Sequence, residues 1–417
     1  MLTFGGMRFA RGPLTLGQRI VLESLLQRNA EADYTYNIDR VVPVPPGMDL
    51  AGVYTAVQAL MYRHETLRTR FPADGREQVV DGAGTLQIRT CGSVEEARAA
   101  LVTEPFDIFG EWGIRIAVAC RGDRPRSIVL CLSHLAVDAW AANLVAEDLR
   151  ALLRGAHRPS PTLRPLDQAA AESTPDSQRA QADALAHLRK VLLAAPPEPD
   201  GTVPDPDAWC LGVLRSTAVD PAARAVAARC RTTAAVVYLA AVAVGLGAGP
   251  HVLKTITHNR LTPAEMTCVA PFALDMFVPV DALGEKFDAL VARTWDAYRE
   301  AGRHSRYDPA AVRPLVDEIA AERGRRPDLS VLVNDVRAST RPPAGVGAST
   351  FTWGEPFRLP GLTRYLAIAD DGDAVTLSLL ANGSALPKDE VPAFLHGMER
   401  LILAAADGDT VLDGTSA

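Results

Sequence analysis

The sequence contains no CxxC pair, and its six cysteines (Cys91, Cys120, Cys131, Cys210, Cys230, Cys268) show none of the spacings of a zinc site. Several lie inside apolar runs, where a free thiol behaves as a small hydrophobe, so a reduced, cytoplasmic setting is expected. The N-terminal stretch MLTFGGMRFARGP lacks a continuous apolar segment and gives no secretion signal. No run reaches the ~20 residues a bilayer requires. The longest, AAVVYLAAVAVGLG from Ala234, reads as a buried helix. There is no GxxxxGKS/T phosphate loop, and GLGAGP at Gly245 lacks the spacing of a dinucleotide turn. A GxSxG nucleophile elbow is also missing. No His/Cys or His/Glu set is spaced for a metal, so none is expected, although ligands from distant segments could still converge. A net charge of -7 offers no basic field for nucleic acid or an anionic membrane, and neither is expected as a partner.

What is present is the composition of a globular protein: 417 residues, 48% hydrophobic and 22% charged, enough for two domains of roughly 150–200 residues each. Thr15 and Gln18 stand at capping-box spacing ahead of an apolar stripe through Ile20, Leu22, Leu25 and Leu26, which predicts a helix. Asp49 caps a second helix whose Leu50, Val53, Val57, Leu60 and Met61 share a face. Strand-like runs follow, then a helix from Trp140 to Leu153. From Gly155 to about Asp176 periodicity fades into proline, serine, threonine and charge, and this is read as the inter-domain region. Beyond it, strands and helices alternate to the end. Each half therefore mixes both, as in two α/β sandwich lobes, residues 1–170 and 171–417.

The stretch CLSHLAVDAWAANL (Cys131 to Leu144) holds the best candidate for chemistry. Ser133 and His134 end the apolar run SIVLCL, a position where α/β layers often bind ligands. Asp138 then opens a helix. Two readings fit: a satisfied core imidazole followed by an aspartate N-cap, or a histidine base at an acyl-transfer centre. HxxxD alone does not choose between them.

The surrounding text does bear on the choice. SHLAVDAW resembles the HHxxxDG motif of the condensation domains of nonribosomal peptide synthetases and their acyltransferase relatives. PLTLGQ (Pro13 to Gln18) resembles that family's opening motif, and RHETLRTRF (Arg63 to Phe71) its second. PFDIFGEWGIRIAVA is similar to the segment ahead of the active-site strand. THNR, VAPFALDMFVPVD and LSVLVND resemble segments of the second half, so the likeness runs from about residue 13 to 407.

The resemblance implies two chloramphenicol acetyltransferase-like lobes in a V-shaped pseudo-dimer, with the active site in a tunnel between them. It makes His134 the catalytic residue and Asp138 a structural one, paired with an arginine of the second lobe, for which Arg260 is the matching position. Arg68 is implied as a further supporting, positively charged group nearby, and Asn334 as a residue facing the channel. Backbone N–H groups after Asp138 could hold an oxyanion. The implied activity is that of a free-standing condensation-type acyltransferase in natural-product assembly. It would join an acyl thioester, carried on a 4′-phosphopantetheine arm or on coenzyme A, to a small-molecule amine or hydroxyl, with carrier proteins as partners in trans and no bound cofactor.

Three departures count. Ser133 replaces the motif's first histidine; Ala139, followed by Trp140, replaces its glycine beside the channel; and APFALD lacks the glycine and asparagine of the later loop. They leave two rivals standing: a non-catalytic platform recruiting tailoring enzymes or carrier proteins, and a simple coenzyme A-dependent acyltransferase.

Overall fold

The computed structural model describes residues 1–27, 34–72, 75, 77–156, 158–199, 204–284, 286–337, 347–408 and 410–412. The chain forms two compact units. The first comprises Met1–Arg179 and His258–Leu274, the second Ala180–Thr257 and Asp275–Ala417. The boundary expected at residue 170 falls inside a helix, Pro165–Glu172, in the stretch read as aperiodic. That helix has proline at its start, Asp167 closing its first turn, and Glu172 accepting from the backbone N–H of Leu16 at 2.8 Å. Its stability is therefore partly tertiary, which an eight-residue periodicity cannot announce.

In the first unit a four-stranded sheet runs in the order Asn37–Pro43, Arg124–Ser133, Ile114–Arg121, Ile88–Cys91. The strand Arg124–Ser133 is central and antiparallel to both neighbours. Residues Ile128 to Ser133 are buried on both faces, which explains the unbroken apolar run SIVLCL where a half-exposed strand would alternate. Helices Leu50–Arg63 and Ala139–Leu153 cover one face through Val53, Val57, Leu60, Val145 and Leu149. Helix Val94–Leu101 covers the other, placing Ala97 and Leu101 against Val129 and Cys131.

The caps read from sequence are present. The Thr15 N–H donates to Gln18 Oε1 at 2.9 Å, and the Gln18 N–H returns to Thr15 Oγ1 at 3.1 Å. Asp49 accepts from the Gly52 N–H at 2.8 Å.

The second unit is built on a seven-stranded mixed sheet, ordered Leu274–Asp281, Pro250–Thr257, Val331–Asp335, Arg364–Asp371, Ala374–Asn382, Trp209–Ser216, Thr350–Gly354. Helices Val219–Cys230, Ala234–Gly245, Phe287–Arg303 and Val391–Asp407 bury one face. Helices Pro175–Ala194 and Val312–Arg323 form a smaller core with Val252, Phe277 and Tyr307. Ala234–Gly245 is the buried helix its composition suggested, with Val236 to Ala243 all inside. Among the described residues no single helix is long and apolar enough to cross a membrane, although that helix and Val219–Cys230 pass the length and composition test as a pair bent by 102°. All six cysteines are free thiols. Burial pushes those of Cys131 and Cys268 up to about 12.

Candidate active site

His134 follows directly on the central strand of the first unit. The chain turns there because the Ala136 and Val137 N–H groups both return to the Ser133 carbonyl, at 2.9 and 3.1 Å. Ser133, buried, is anchored at the strand end by its own N–H to the Gly113 carbonyl (3.0 Å), and its hydroxyl accepts from the Leu135 N–H at 3.3 Å. Gly113 has to be a glycine: a Cβ there would lie 2.5 Å from that of Ala136. A further restraint, missed in the sequence, is Thr66 of RHETLRTRF. Its buried hydroxyl donates to the Ala136 carbonyl at 2.7 Å and ties that motif to the histidine turn.

The turn ends at Asp138, where the cap and ion-pair readings prove to be one arrangement. Oδ1 accepts from the Ala141 N–H (2.8 Å) and from Arg260 Nη2 (3.1 Å). Oδ2 accepts from Arg260 Nη1 (2.6 Å) and from the Phe272 N–H (2.9 Å). The carboxylate, 3% exposed, thus has four donors for its four lone-pair sites. Arg260, 1% exposed, also donates to the Ala270 carbonyl at 2.7 Å and lies over the Phe272 ring, 4.5 Å from its centroid. The APF of the departing loop is therefore a functional part of this pair: Ala270 and Phe272 supply the carbonyl, the N–H and the ring around it.

Arg260 does not enter as part of the second unit. His258–Leu274 returns to pack in the first, so both partners of the pair belong to one body. The Ala141 N–H, one of the first-turn donors expected to face an oxyanion, is taken by Asp138.

His258, to which the sequence reading gave no role, shapes the approach to Arg260. Asn259 adopts a left-handed conformation (φ 51°), which asparagine tolerates better than most residues, and the chain folds back so that the Arg260 N–H donates to His258 Nδ1 at 3.1 Å. The His258 ring stacks on Trp140 at 5.3 Å, and the Trp140 indole donates to the Met266 carbonyl at 3.1 Å. Ala139 and Trp140 are exposed at the start of the helix.

Arg68 is buried elsewhere. It pairs with Glu65 at 3.6 Å and donates to the Arg8 and Asp81 carbonyls, and none of these partners belongs to the histidine motif. Asn334 lies in the second unit, where its amide donates to the Tyr365 hydroxyl at 3.1 Å.

His134 as a residue is partly exposed, and the Tyr36 ring tilts against its imidazole at 5.6 Å. Nδ1 is buried without a well-formed hydrogen bond. Burial draws the ring below the usual 6.5, opposed by its own backbone, by the charge of Asp138 and by the Val137 backbone. His134 is thus a neutral imidazole at neutral pH.

A condensation-domain family model matches residues 13–310. Among curated proteins, the phosphinothricin tripeptide synthetase PhsB of Streptomyces viridochromogenes is 28% identical over 207 residues, 45% of this chain and 17% of PhsB. The chain spans less than a fifth of the length of the curated synthetases it matches. Among solved structures, the condensation domain behind chain release from the enacyloxin polyketide synthase aligns with a TM-score of 0.72 at 20% identity, covering 94% of this chain and 83% of that one. The X-domain of teicoplanin biosynthesis, solved in complex with OxyB, aligns at 0.71 and 20%, covering 96% and 94%. At such identities the structures carry the fold alone, and it agrees with the expected acetyltransferase-like α/β architecture. With the family model matching over two-thirds of its length, the chain belongs to the condensation-domain family.

Proposed function

We propose that this chain transfers an acyl group from a thioester to an amine or hydroxyl, with His134 as general base. The observation that carries this reading is the contrast between two histidines of the same unit. His64 is what a structural histidine looks like: fully enclosed, its Nε2 2.8 Å from Asp148, itself held by Arg63. His134 sits at a strand end with Nδ1 unpaired, on a turn restrained by Ser133, Thr66 and Asp138. A buried polar atom left unmatched costs about 1–3 kcal/mol, which makes little sense for a residue serving only the core.

In the proposed step the acceptor nitrogen or oxygen attacks the thioester carbonyl carbon while its proton passes to His134. The carbon–sulfur bond then breaks, and the departing thiolate takes up a proton. An imidazole that burial keeps neutral has a free lone pair with which to accept this proton. The family match supports thioester chemistry with a carrier-borne 4′-phosphopantetheine arm; coenzyme A is the alternative donor. Ala139 and Trp140, exposed beside the capped turn, are the residues we assign to the path of the acyl arm.

A second reading, a non-catalytic platform for carrier proteins or tailoring enzymes, is favoured by one observation: Ser133 stands where the motif has its first histidine, and its hydroxyl is engaged in the turn.

Turnover of acyl-carrier and acyl-coenzyme A donors with amine and alcohol acceptors tests both. The base assignment expects His134→Ala to lose about 10²–10⁴ in rate with an unchanged melting temperature. A wild type inactive with every donor supports the platform. A variant keeping more than about a tenth of the wild-type rate rejects His134 as base.

A further inference from the structure

We propose a transition-metal site in the second unit, formed by His187, Glu300 and His304. His187 lies on helix Pro175–Ala194, Glu300 on helix Phe287–Arg303, and His304 is that helix's C-cap. One candidate ligand atom from each of the three lies within 4.8 Å of the others, and all three residues are partly buried. Glu300 and His304 are four residues apart, which places them on one helix face, and their side chains meet at 3.3 Å between Oε1 and Nε2. The imidazoles of His187 and His304 stack at 4.3 Å with 14° between their planes, an approach that two protonated rings would resist.

The two elements are held in register by the core beneath them. Ala184, Leu188 and Val191 of the His187 helix pack with Tyr307, three residues beyond His304. A metal would bring the donors to roughly 3.3 Å from one another, given metal–ligand distances of about 2.0–2.1 Å, and would require the two stacked rings to turn out of parallel. Partial exposure leaves a path for the ion and room for water to complete the coordination. Two imidazoles and one carboxylate suit zinc, cobalt or nickel, and do not suit magnesium or calcium, which prefer all-oxygen shells. Two positive groups oppose binding: Arg303, 2.5 Å from the other oxygen of Glu300, and Lys190, near His187. The carboxylate of Glu300 partly offsets them. Sequence spacing hides this set because His187 comes from a different helix, far from the other two in the chain. The ion would fasten helix Pro175–Ala194 to helix Phe287–Arg303 without taking part in acyl transfer.

The test uses tag-free, chelator-treated protein titrated with cobalt(II) and zinc(II), with magnesium and calcium as controls. One equivalent of cobalt should bind with a ligand-field absorption, zinc should displace it, and zinc should raise the melting temperature. Changes in residues that merely support metal ligands cost about 10–100-fold in affinity, so His187→Ala and His304→Ala should each weaken binding by at least about 100-fold and abolish the thermal gain. Circular dichroism of both variants should match the wild type, since the positions are only partly buried. The absence of saturable cobalt or zinc binding, or a loss below about tenfold in both variants, overturns the site.

Discussion

Asp138 and Thr66 separate what holds the histidine turn from what acts in it. Removing one partner of a buried ion pair typically costs about 3–5 kcal/mol, because the other charge remains uncompensated. Asp138→Ala would strand Arg260, 1% exposed, and would also free the Ala141 and Phe272 N–H groups. We expect Asp138→Ala to lower the urea midpoint or soluble yield far more than His134→Ala, and equal midpoints would reduce Asp138 to a replaceable cap. Thr66→Val keeps the shape and removes one hydrogen bond, worth about 0.5–1.5 kcal/mol net. Because that bond ends on the turn carrying His134, the loss should fall on kcat rather than on KM, with a small change in melting temperature. An unchanged kcat would show that the turn is fixed without it. Neither partner of Thr66 nor the roles of Ala270 and Phe272 could be read from sequence, since each depends on a segment far away in the chain.

Among the elements, helix Leu16–Gln27 shows why its opening carries a glycine. A Cβ on Gly17 would lie 2.1 Å from the Pro271 carbonyl oxygen and 2.5 Å from its carbon, both backbone atoms that cannot swing aside. Gly17→Ala must push the helix away from the loop that binds the Asp138–Arg260 pair. Overpacking of this kind costs about 1–3 kcal/mol, and we expect a fall in melting temperature with part of the activity lost; a wild-type melting curve would show that the loop yields freely. Local signals were the legible ones. The Thr15–Gln18 box, the Asp49 cap and the Asp138 cap each rest on residues three apart, and all three form. Helix Pro165–Glu172 escaped because its fixing contact is to Leu16, and the allegiance of Arg260 escaped because a short return of the chain, His258–Leu274, leaves no mark in periodicity.

Across the whole molecule, acid should act first through the histidines. Burial pushes His64, His134 and His258 below 6.5, and at His64 two guanidiniums, of Arg63 and Arg158, limit what the charge of Asp148 can restore. Above about pH 6.5 these rings are neutral in both states; below it the unfolded chain takes up protons that the folded one refuses, and stability falls. Carboxylates held below their ordinary range, such as Asp148, where burial is outweighed by the hydrogen bonds of His64 and Arg63, give up their share only below about pH 4. The urea midpoint should therefore drop between about pH 7 and 5, and a flat profile in that window would contradict the lowered titration of these rings in the folded chain. The same return of the chain that seats Arg260 has a consequence during synthesis. A nascent polypeptide that has emerged only as far as Arg179 has Asp138 but not its arginine, and Gly17 without the backbone it packs against. The first unit cannot close until the ribosome has made Leu274, when only Ala180–Thr257 of the second has been made and Asp275–Ala417 has not. The N-terminal unit can still be completed first, but only after Ala180–Thr257, which belongs to the other unit, has been synthesised.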